Sequence, residues 1–339
     1  MSHKSSALLA LAAACLDLTA CGSGSATSTS TSPTATSSTT QDQASGTVTI
    51  ETNNGSVEVT RPVQRVAALD NRSFEVLASW DVPLVAAPKT LIPSTVTAYD
   101  GDEVTDIGNH REPDLEALVA AEPDLIISGQ RFSQYDEQIA TLTEGTPLLD
   151  LEPREDQPLD SELIRHVTAL GEVFGKESEA TQLVDDFKAA LARAKEAYDG
   201  SSTVMAVNVS GGEIGYVAPG KGRTFGPLFD LLGLTPALEV DGATTSHTGD
   251  DISVEAIAQS NPDWILVLDR DGAIAADEEG YTPAQDVISG NAALQNVTVL
   301  CKGQVVYAPA DTYTNESIIT YTEILNAVAD AFEAAGKQA

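Results

Sequence analysis

One pattern of eighteen residues occurs twice, the copies starting 139 positions apart at Asp114 and Ser253. The first reads DLEALVAAEPDLIISGQR and the second SVEAIAQSNPDWILVLDR. Six positions match without a gap: Glu116 with Glu255, Ala117 with Ala256, Pro123 with Pro262, Asp124 with Asp263, Ile126 with Ile265 and Arg131 with Arg270. Each copy predicts a short helix, a Pro-Asp turn, a strand and then an arginine. The apolar runs Leu125–Ile127 and Trp264–Leu268 are continuous rather than alternating, which suits parallel strands covered on both faces. In open α/β sheets ligands bind beyond the carboxyl ends of the strands, where both arginines fall. The repeat therefore predicts an α/β protein with two similar lobes, each presenting a cation toward a shared cleft.

Length permits this, since 339 residues at 42% hydrophobic can bury two cores of ordinary size. Around the repeat the chain divides into five parts. Residues 1–20 read as an export signal, with Lys4 as a minimal basic start and an Ala/Leu run over Ala7–Leu16. Residues 21–46 form a Ser/Thr-rich tract that cannot bury a core and reads as a flexible tether. Residues 47–159 make the N-terminal lobe. It opens with an alternating hairpin turning at Asn54-Gly55 and continues with strands at Arg65–Leu69, Leu84–Ala87 and Pro147–Leu151. Residues 160–200 carry two amphipathic helices, Asp160–Phe174 and Glu177–Tyr198, parted by Gly175. Residues 201–339 make the C-terminal lobe, with strands expected at Thr203–Val209, Val297–Leu300 and Gln304–Tyr307 and a terminal helix over Ile318–Ala335. No segment after the signal reaches the ~20 apolar residues needed to span a bilayer.

Charge narrows the partners. The formal net charge is −33, from 51 acidic and 18 basic residues. Nucleic-acid phosphates and anionic lipid both demand a basic face, so neither is an expected partner. Cations are scarce, which makes each inward-placed arginine informative. The three cysteines, Cys15, Cys21 and Cys301, offer no disulfide framework and no CxxC, and Cys301 is expected to be a buried structural thiol. Of the four histidines, His3 lies in the signal, His166 falls on an interlobe helix, and His110 and His247 lie in loops before the two repeat copies. They do not form the convergent set a Zn²⁺ site needs. The stretch AlaProGlyLysGlyArg is not a P-loop, because Lys221 is followed by Gly222 rather than Ser or Thr. No GxSxG, HExxH or Cys–His arrangement marks an enzyme.

With these features the chain resembles the substrate-binding proteins of bacterial ABC importers. It is most similar to the class in which one long helix joins two Rossmann-like lobes and which serves ferric siderophores, haem and cobalamin. The resemblance covers about residues 47–336 and is carried by EPDLEALVAAEPDLIISGQR, GRTFGPLFDLLGL and ISVEAIAQSNPDWILVLDR. The finer phrases are similar to the branch binding petrobactin- or enterobactin-like ferric catecholates, including mixed citrate–catecholates. That resemblance implies that Arg131, Arg223 and Arg270 contact the anionic ferric complex, with Lys89 as a further ligand-binding cation. It implies that His247 and Tyr313 complete iron coordination when the siderophore leaves iron unsaturated. The local spacing around Tyr313 departs from the family. It further implies that Glu116 and Glu255 dock onto an ABC permease, which works with its own ATPase. Leu18-Thr19-Ala20-Cys21 resembles a lipobox, which implies cleavage before Cys21, a lipid on its sulfur and anchorage to the outer face of the cytoplasmic membrane. Asp17 is an unusual charge so close to the apolar core of the signal.

The chemistry agrees with that branch. A ferric tris-catecholate is a trianion with phenolate oxygens outermost, and guanidinium offers a permanently charged planar fork to such oxygens. Each charge-assisted bond contributes about 1.5–3 kcal/mol, so three arginines would dominate recognition. The expected protein is a non-enzymatic, monomeric receptor with a ferric siderophore as cargo and no permanent cofactor. The alternatives are haem, cobalamin or a hydroxamate siderophore within the same class, and beyond it an extracytoplasmic enzyme or a structural lipoprotein.

Overall fold

The continuous apolar runs of the repeat become the centres of two separate sheets. The computed structural model describes residues 45–337, all within one compact unit. The export signal, most of the tether and Cys21 lie outside the described residues.

The N-terminal lobe begins with an antiparallel hairpin, β1 (Gly46–Thr52) and β2 (Gly55–Arg61). Its turn residues are Asn53 and Asn54, one position earlier than Asn54-Gly55, because Thr52 pairs with Gly55. Then follow β3 (Val66–Ala68), helix α1 (Asn71–Ser79), β4 (Leu84–Ala87) and β5 (Thr105–Asp106). A two-residue ladder, β6 (Gly108–Asn109) with β7 (Glu112–Pro113), leads into the first repeat copy, α2 (Leu115–Ala120) and β8 (Leu125–Ser128). Helix α3 (Asp136–Leu142) and β9 (Leu148–Asp150) close the lobe. The sheet runs β5-β4-β3-β8-β9, with every pairing parallel. All four residues of β8 are buried, as a strand covered on both faces requires.

Two helices follow, α4 (Leu159–Phe174) and α5 (Glu177–Ala197). Gly175 ends α4 in the left-handed conformation at φ +64°, the backbone state a helix C-cap favours and glycine adopts without penalty. Helix α5 has 21 residues and is therefore about 31 Å long.

The C-terminal lobe repeats the plan. It comprises β10 (Thr203–Ser210), β11 (Glu213–Val217), α6 (Gly226–Leu232), β12 (Thr235–Pro236), the second copy as α7 (Val254–Ser260) and β13 (Trp264–Asp269), then α8 (Arg270–Ile274), α9 (Ala284–Gly290), α10 (Thr298–Lys302) and β14 (Val305–Tyr307). The sheet order is β11-β10-β13-β14, with β12 beside β10. Thus β3-β8-β9 in one lobe matches β10-β13-β14 in the other. The terminal helix α11 (Ile318–Gly336) packs on α5. One hydrophobic core runs from Phe74 and Leu77 through Leu170 and Phe187 to Leu266, Ile324 and Phe332, so apolar packing continues from lobe to lobe along these helices.

The repeat's conserved Pro-Asp has the same structural role in both lobes. Asp124 accepts from the backbone N–H of Gln64 and Arg65, both at 2.8 Å, just ahead of β3. Asp263 accepts from the N–H of Thr203, at 2.9 Å, at the start of β10. Each aspartate ties one central strand to its neighbour at the end away from the cleft. The residue before each Pro is left-handed in both copies, Glu122 at φ 45° and Asn261 at φ 44°.

Two expectations fail in one place. Residues 297–300 are not a strand, because Thr298–Lys302 forms α10. Its first N–H groups need a partner, and Asn261 Oδ1 accepts from Thr298 N at 3.0 Å. Gly303 ends the turn left-handed at φ +66°. Consequently Cys301 sits on a short surface helix and is exposed, not a buried thiol.

Candidate functional site

Both repeat arginines follow the strand ends as the pattern requires. Arg131 lies three residues past Ser128, on a short 3-10 segment entered through Gly129 and Gln130. A Cβ on Gly129 would stand 2.9 Å from the Asp70 carboxyl carbon, so only glycine permits this approach. Arg131 is exposed. Its Nη1 donates to His110 Nε2 at 3.0 Å, which requires a neutral ring. Partial desolvation, then the charges of Arg131 and Arg111, hold His110 below its ordinary pKa. Among the described residues Arg131 makes no ion pair.

Arg270 opens α8 and is held differently. Its Nη1 donates to Ser210 Oγ at 3.1 Å and pairs with Asp271 at 2.9 Å. Its guanidinium carbon lies 5.1 Å from the centre of the Tyr313 ring. Arg223 approaches the same ring at 4.3 Å, so two cations lean on one aromatic, an arrangement favoured by the ring quadrupole. The GlyArgThrPheGly turn is wound tightly enough to set Arg223. A Cβ at Gly222 would meet Ala218 N at 2.7 Å, and one at Gly226 would meet Ala218 O at 2.8 Å. Arg223 Nη2 then donates to Tyr313 O and to Glu316 Oε2, both at 2.9 Å.

His247 marks where the lobes face each other. It is exposed on the loop before α7. Partial desolvation lowers its pKa, and the next causes are Arg131, Arg270, Arg223 and Arg111, cations from both lobes. The loop is held by Asn208, whose Nδ2 donates to His247 O at 2.9 Å. Tyr313 thus carries Arg223 and Arg270 on its ring, and His247 lies within reach of their charges and of Arg131. Among the described residues Lys89 shares no hydrogen bond or ion pair with them. Its Nζ donates to the carbonyls of Asp100 at 3.0 Å and Gly101 at 2.8 Å, within its own lobe.

Sequence reasoning missed the seam beneath these groups. Segment 311–317, which carries Tyr313, is bonded to the N-terminal lobe along its length. Thr95 Oγ1 donates to Asp311 at 2.5 Å, Asn71 Nδ2 to Thr314 O at 2.8 Å, and Asn315 and Ser317 to Glu75 at 2.9 and 2.7 Å. At its centre Glu316, 4% exposed, pairs with Arg223 and lies 3.5 Å from Arg72 of the other lobe. Burial opposes its charge, but Arg223 and Arg72 outweigh burial and hold Glu316 below its ordinary value. Asn208 had a signal, being a polar residue in an otherwise apolar strand. Arg72 and Glu316 had none beyond their charge.

Glu116 and Glu255 are exposed and hold the same place, the second residue of α2 and of α7. Asp114 caps α2 by accepting from Ala117 N at 2.8 Å, and Ser253 caps α7 by accepting from Ala256 N at 3.1 Å. Each cap satisfies one of the unpaired N–H groups at its helix start, and both glutamate side chains point to solvent.

Residues 66–312 match the family model described as periplasmic binding protein, and the chain belongs to that family. Among similar proteins, the ferric-anguibactin-binding protein FatB of Vibrio anguillarum is 27% identical over 281 residues, covering 82% of this chain and 85% of the relative. The petrobactin-binding protein YclQ of Bacillus subtilis is 25% identical over 292 residues, covering 85% and 88%. Its crystal structure superposes with a TM-score of 0.72 at 22% identity, over 85% of this chain and 99% of that one. The catecholate-siderophore binding protein VctP of Vibrio cholerae gives 0.72 at 23% identity, over 85% and 100%. The two-lobed fold is thus that of the class III periplasmic binding proteins.

Proposed function

We propose that this protein is an extracytoplasmic receptor that binds an anionic ferric siderophore, a catecholate or mixed citrate–catecholate, between its lobes and delivers it to an ABC permease for iron uptake. The observation that carries the reading is the pair of arginines, Arg223 and Arg270, laid on the Tyr313 ring, with Arg131 just past the equivalent strand end of the other lobe, in a chain of net charge −33. So acidic a protein collects cations in one cleft only if something anionic is to sit there. The relatives named for ferric-anguibactin and petrobactin support the cargo class, and those named for ferric citrate support an anionic ferric complex more broadly. Arg131, Arg223 and Arg270 are the recognising cations in this reading. Lys89 would join them only by releasing the two carbonyls it holds.

His247 and Tyr313 are assigned as protein ligands to iron when the siderophore supplies fewer than six donors. Both lie beside the arginine group, and both offer donors that suit Fe³⁺. Lipidation at Cys21 would tether the receptor to the outer face of the cytoplasmic membrane, and Glu116 with Glu255 would dock the permease. The test is a titration of intrinsic fluorescence, from buried Trp80 and Trp264, against ferric tris-catecholate, ferric citrate, a ferric hydroxamate, haem and cobalamin. Tight, salt-weakened binding of the catecholate or citrate complex is expected. Preference for haem, cobalamin or the neutral hydroxamate would overturn the reading.

A further inference from the structure

One carboxylate in the seam lacks the strong partners its neighbours have. Glu152 follows β9. One of its oxygens accepts from Gln130 N–H, and the other lies 3.4 Å from Arg72 Nη1. Both Arg72 ion pairs are long, and among the described residues its buried Nε has no acceptor. Glu152 is therefore one link from each cation set. Gln130 immediately precedes Arg131, and Arg72 shares Glu316 with Arg223.

The groups around Glu152 are nearly all anions. They are Asp70 at the cap of α1, Asp150 at the end of β9 and Glu316 ahead of α11, against the single cation Arg72. Arg165 of α4 donates to the Glu152 carbonyl rather than its carboxylate. Asp150 accepts from Asn53 Nδ2 at 3.2 Å and from Glu152 N–H at 3.0 Å and carries one of the anionic charges that raise Glu152, while Asp70 and Glu316 are better held. Asp70 bonds His166 at 3.0 Å and Ser73 at 3.1 Å. Glu316 bonds Arg223 at 2.9 Å and Thr224 at 2.7 Å. Burial, with Asp70, Asp150 and Glu316, outweighs Arg72 and pushes Glu152 up to about 7. Its side chain keeps 31% exposure, so solvent protons reach it.

We propose that Glu152 takes up one proton from solvent when a polyanionic cargo enters the cleft. The inference rests on the cargo being an anion. Added negative charge favours the neutral form of the nearby carboxyl that is least firmly held, and that carboxyl is Glu152. Its protonation leaves buried Arg72 with one fewer compensating anion, which raises the positive potential beside the Glu316–Arg223 pair. The sign follows from linkage. Above about pH 7 the empty receptor has Glu152 ionised and the loaded one has it protonated, so affinity falls as pH rises, by at most about tenfold per unit. Well below that pH the carboxyl is protonated in both states and this dependence vanishes.

The test is calorimetric titration with ferric tris-catecholate at about pH 8 in buffers of different ionisation heat, with roughly half to one proton taken up per cargo expected. Glu152→Gln keeps the oxygen that faces Gln130 N–H and should reduce uptake to near zero while binding the same complex at least as tightly. A second arm needs no substitution: carbon NMR of the Glu152 carboxyl with the diamagnetic gallium complex should show its titration moved upward on loading. Buffer-independent heat, an unmoved titration, or full uptake in Glu152→Gln would each overturn the proposal. Failure of any catecholate or citrate complex to bind would remove the cargo reading and this inference together, whereas binding without proton uptake removes the inference alone.

Discussion

The two copies of the repeat keep the same scaffold and end in arginines with different surroundings. Asp124 and Asp263 tie equivalent strands, and Glu116 and Glu255 hold equivalent helix positions. Yet Arg131 is exposed, bonds a neutral histidine and pairs with no carboxylate among the described residues. Arg270 is half-buried, pairs with Asp271 and leans on the Tyr313 ring. Arg223 is likewise fixed by Glu316. The C-terminal lobe thus offers a preset cation platform whose charge is partly neutralised. The N-terminal lobe offers a freer and uncompensated cation. A scaffold repeated twice has not produced a symmetric site.

This contrast is open to direct attack. The largest effect is expected for the pair of glutamates that the lobes share. Glu116→Ala combined with Glu255→Ala should abolish siderophore-dependent iron uptake in cells and leave the Kd for cargo unchanged. Unimpaired uptake would remove the docking role. Next, Arg131→Glu should weaken binding of ferric tris-catecholate on the order of a hundredfold or more, since it loses a charge-assisted bond and adds repulsion. Arg270→Ala should cost roughly tenfold, because Asp271 already offsets part of its charge. Equal losses would mean that the difference in surroundings has no consequence for cargo. Smaller still, Asp271→Asn should tighten binding several-fold by releasing Arg270, while its amide oxygen can still accept from Gly211 N–H. The smallest change concerns shape. With α5 and α11 packed across the lobes, scattering should show little change in radius of gyration on loading, and a large compaction would indicate hinge motion that this packing resists.

Acidity probes the frame independently of cargo. Glu162 is 1% exposed and pairs with Arg154 and Arg165. Burial opposes its ionisation, but these two arginines win and lower it to about 2. The stability this gives is full above the ordinary carboxylate value and is lost as pH falls from there toward 2. Glu162→Gln should flatten that part of the acid-unfolding curve.

Much of the frame was legible because it is written in local pattern. Leu125–Ile127 and Trp264–Leu268 were readable as covered strands because each follows the same Pro-Asp turn in the repeat, and Gly175 marks a helix end that its left-handed conformation explains. The short run Val297–Leu300 was misread because four apolar residues do not distinguish strand from helix. What decided it was Asn261, far away in sequence, capping Thr298. Arg131 and Arg270 were legible through the repeat and Arg223 only through the family resemblance, but their partners were not. His110, Asn208, Asp271 and Glu316 act across long separations or through contacts that no local periodicity records. The seam was invisible for the same reason. Asn71, Arg72 and Glu75 are polar residues of a short helix, and segment 311–317 laid on that helix gives each of them a partner.

The central claim is that one anionic cargo is held by cations of both lobes at once. Arg131→Gln, Arg270→Gln and the double variant, titrated with ferric tris-catecholate at fixed salt, test it most directly. Each single variant should weaken binding, and the double should weaken it further, by about the sum of the two free-energy losses. If either single variant binds like the parent protein, the cargo does not bridge the lobes.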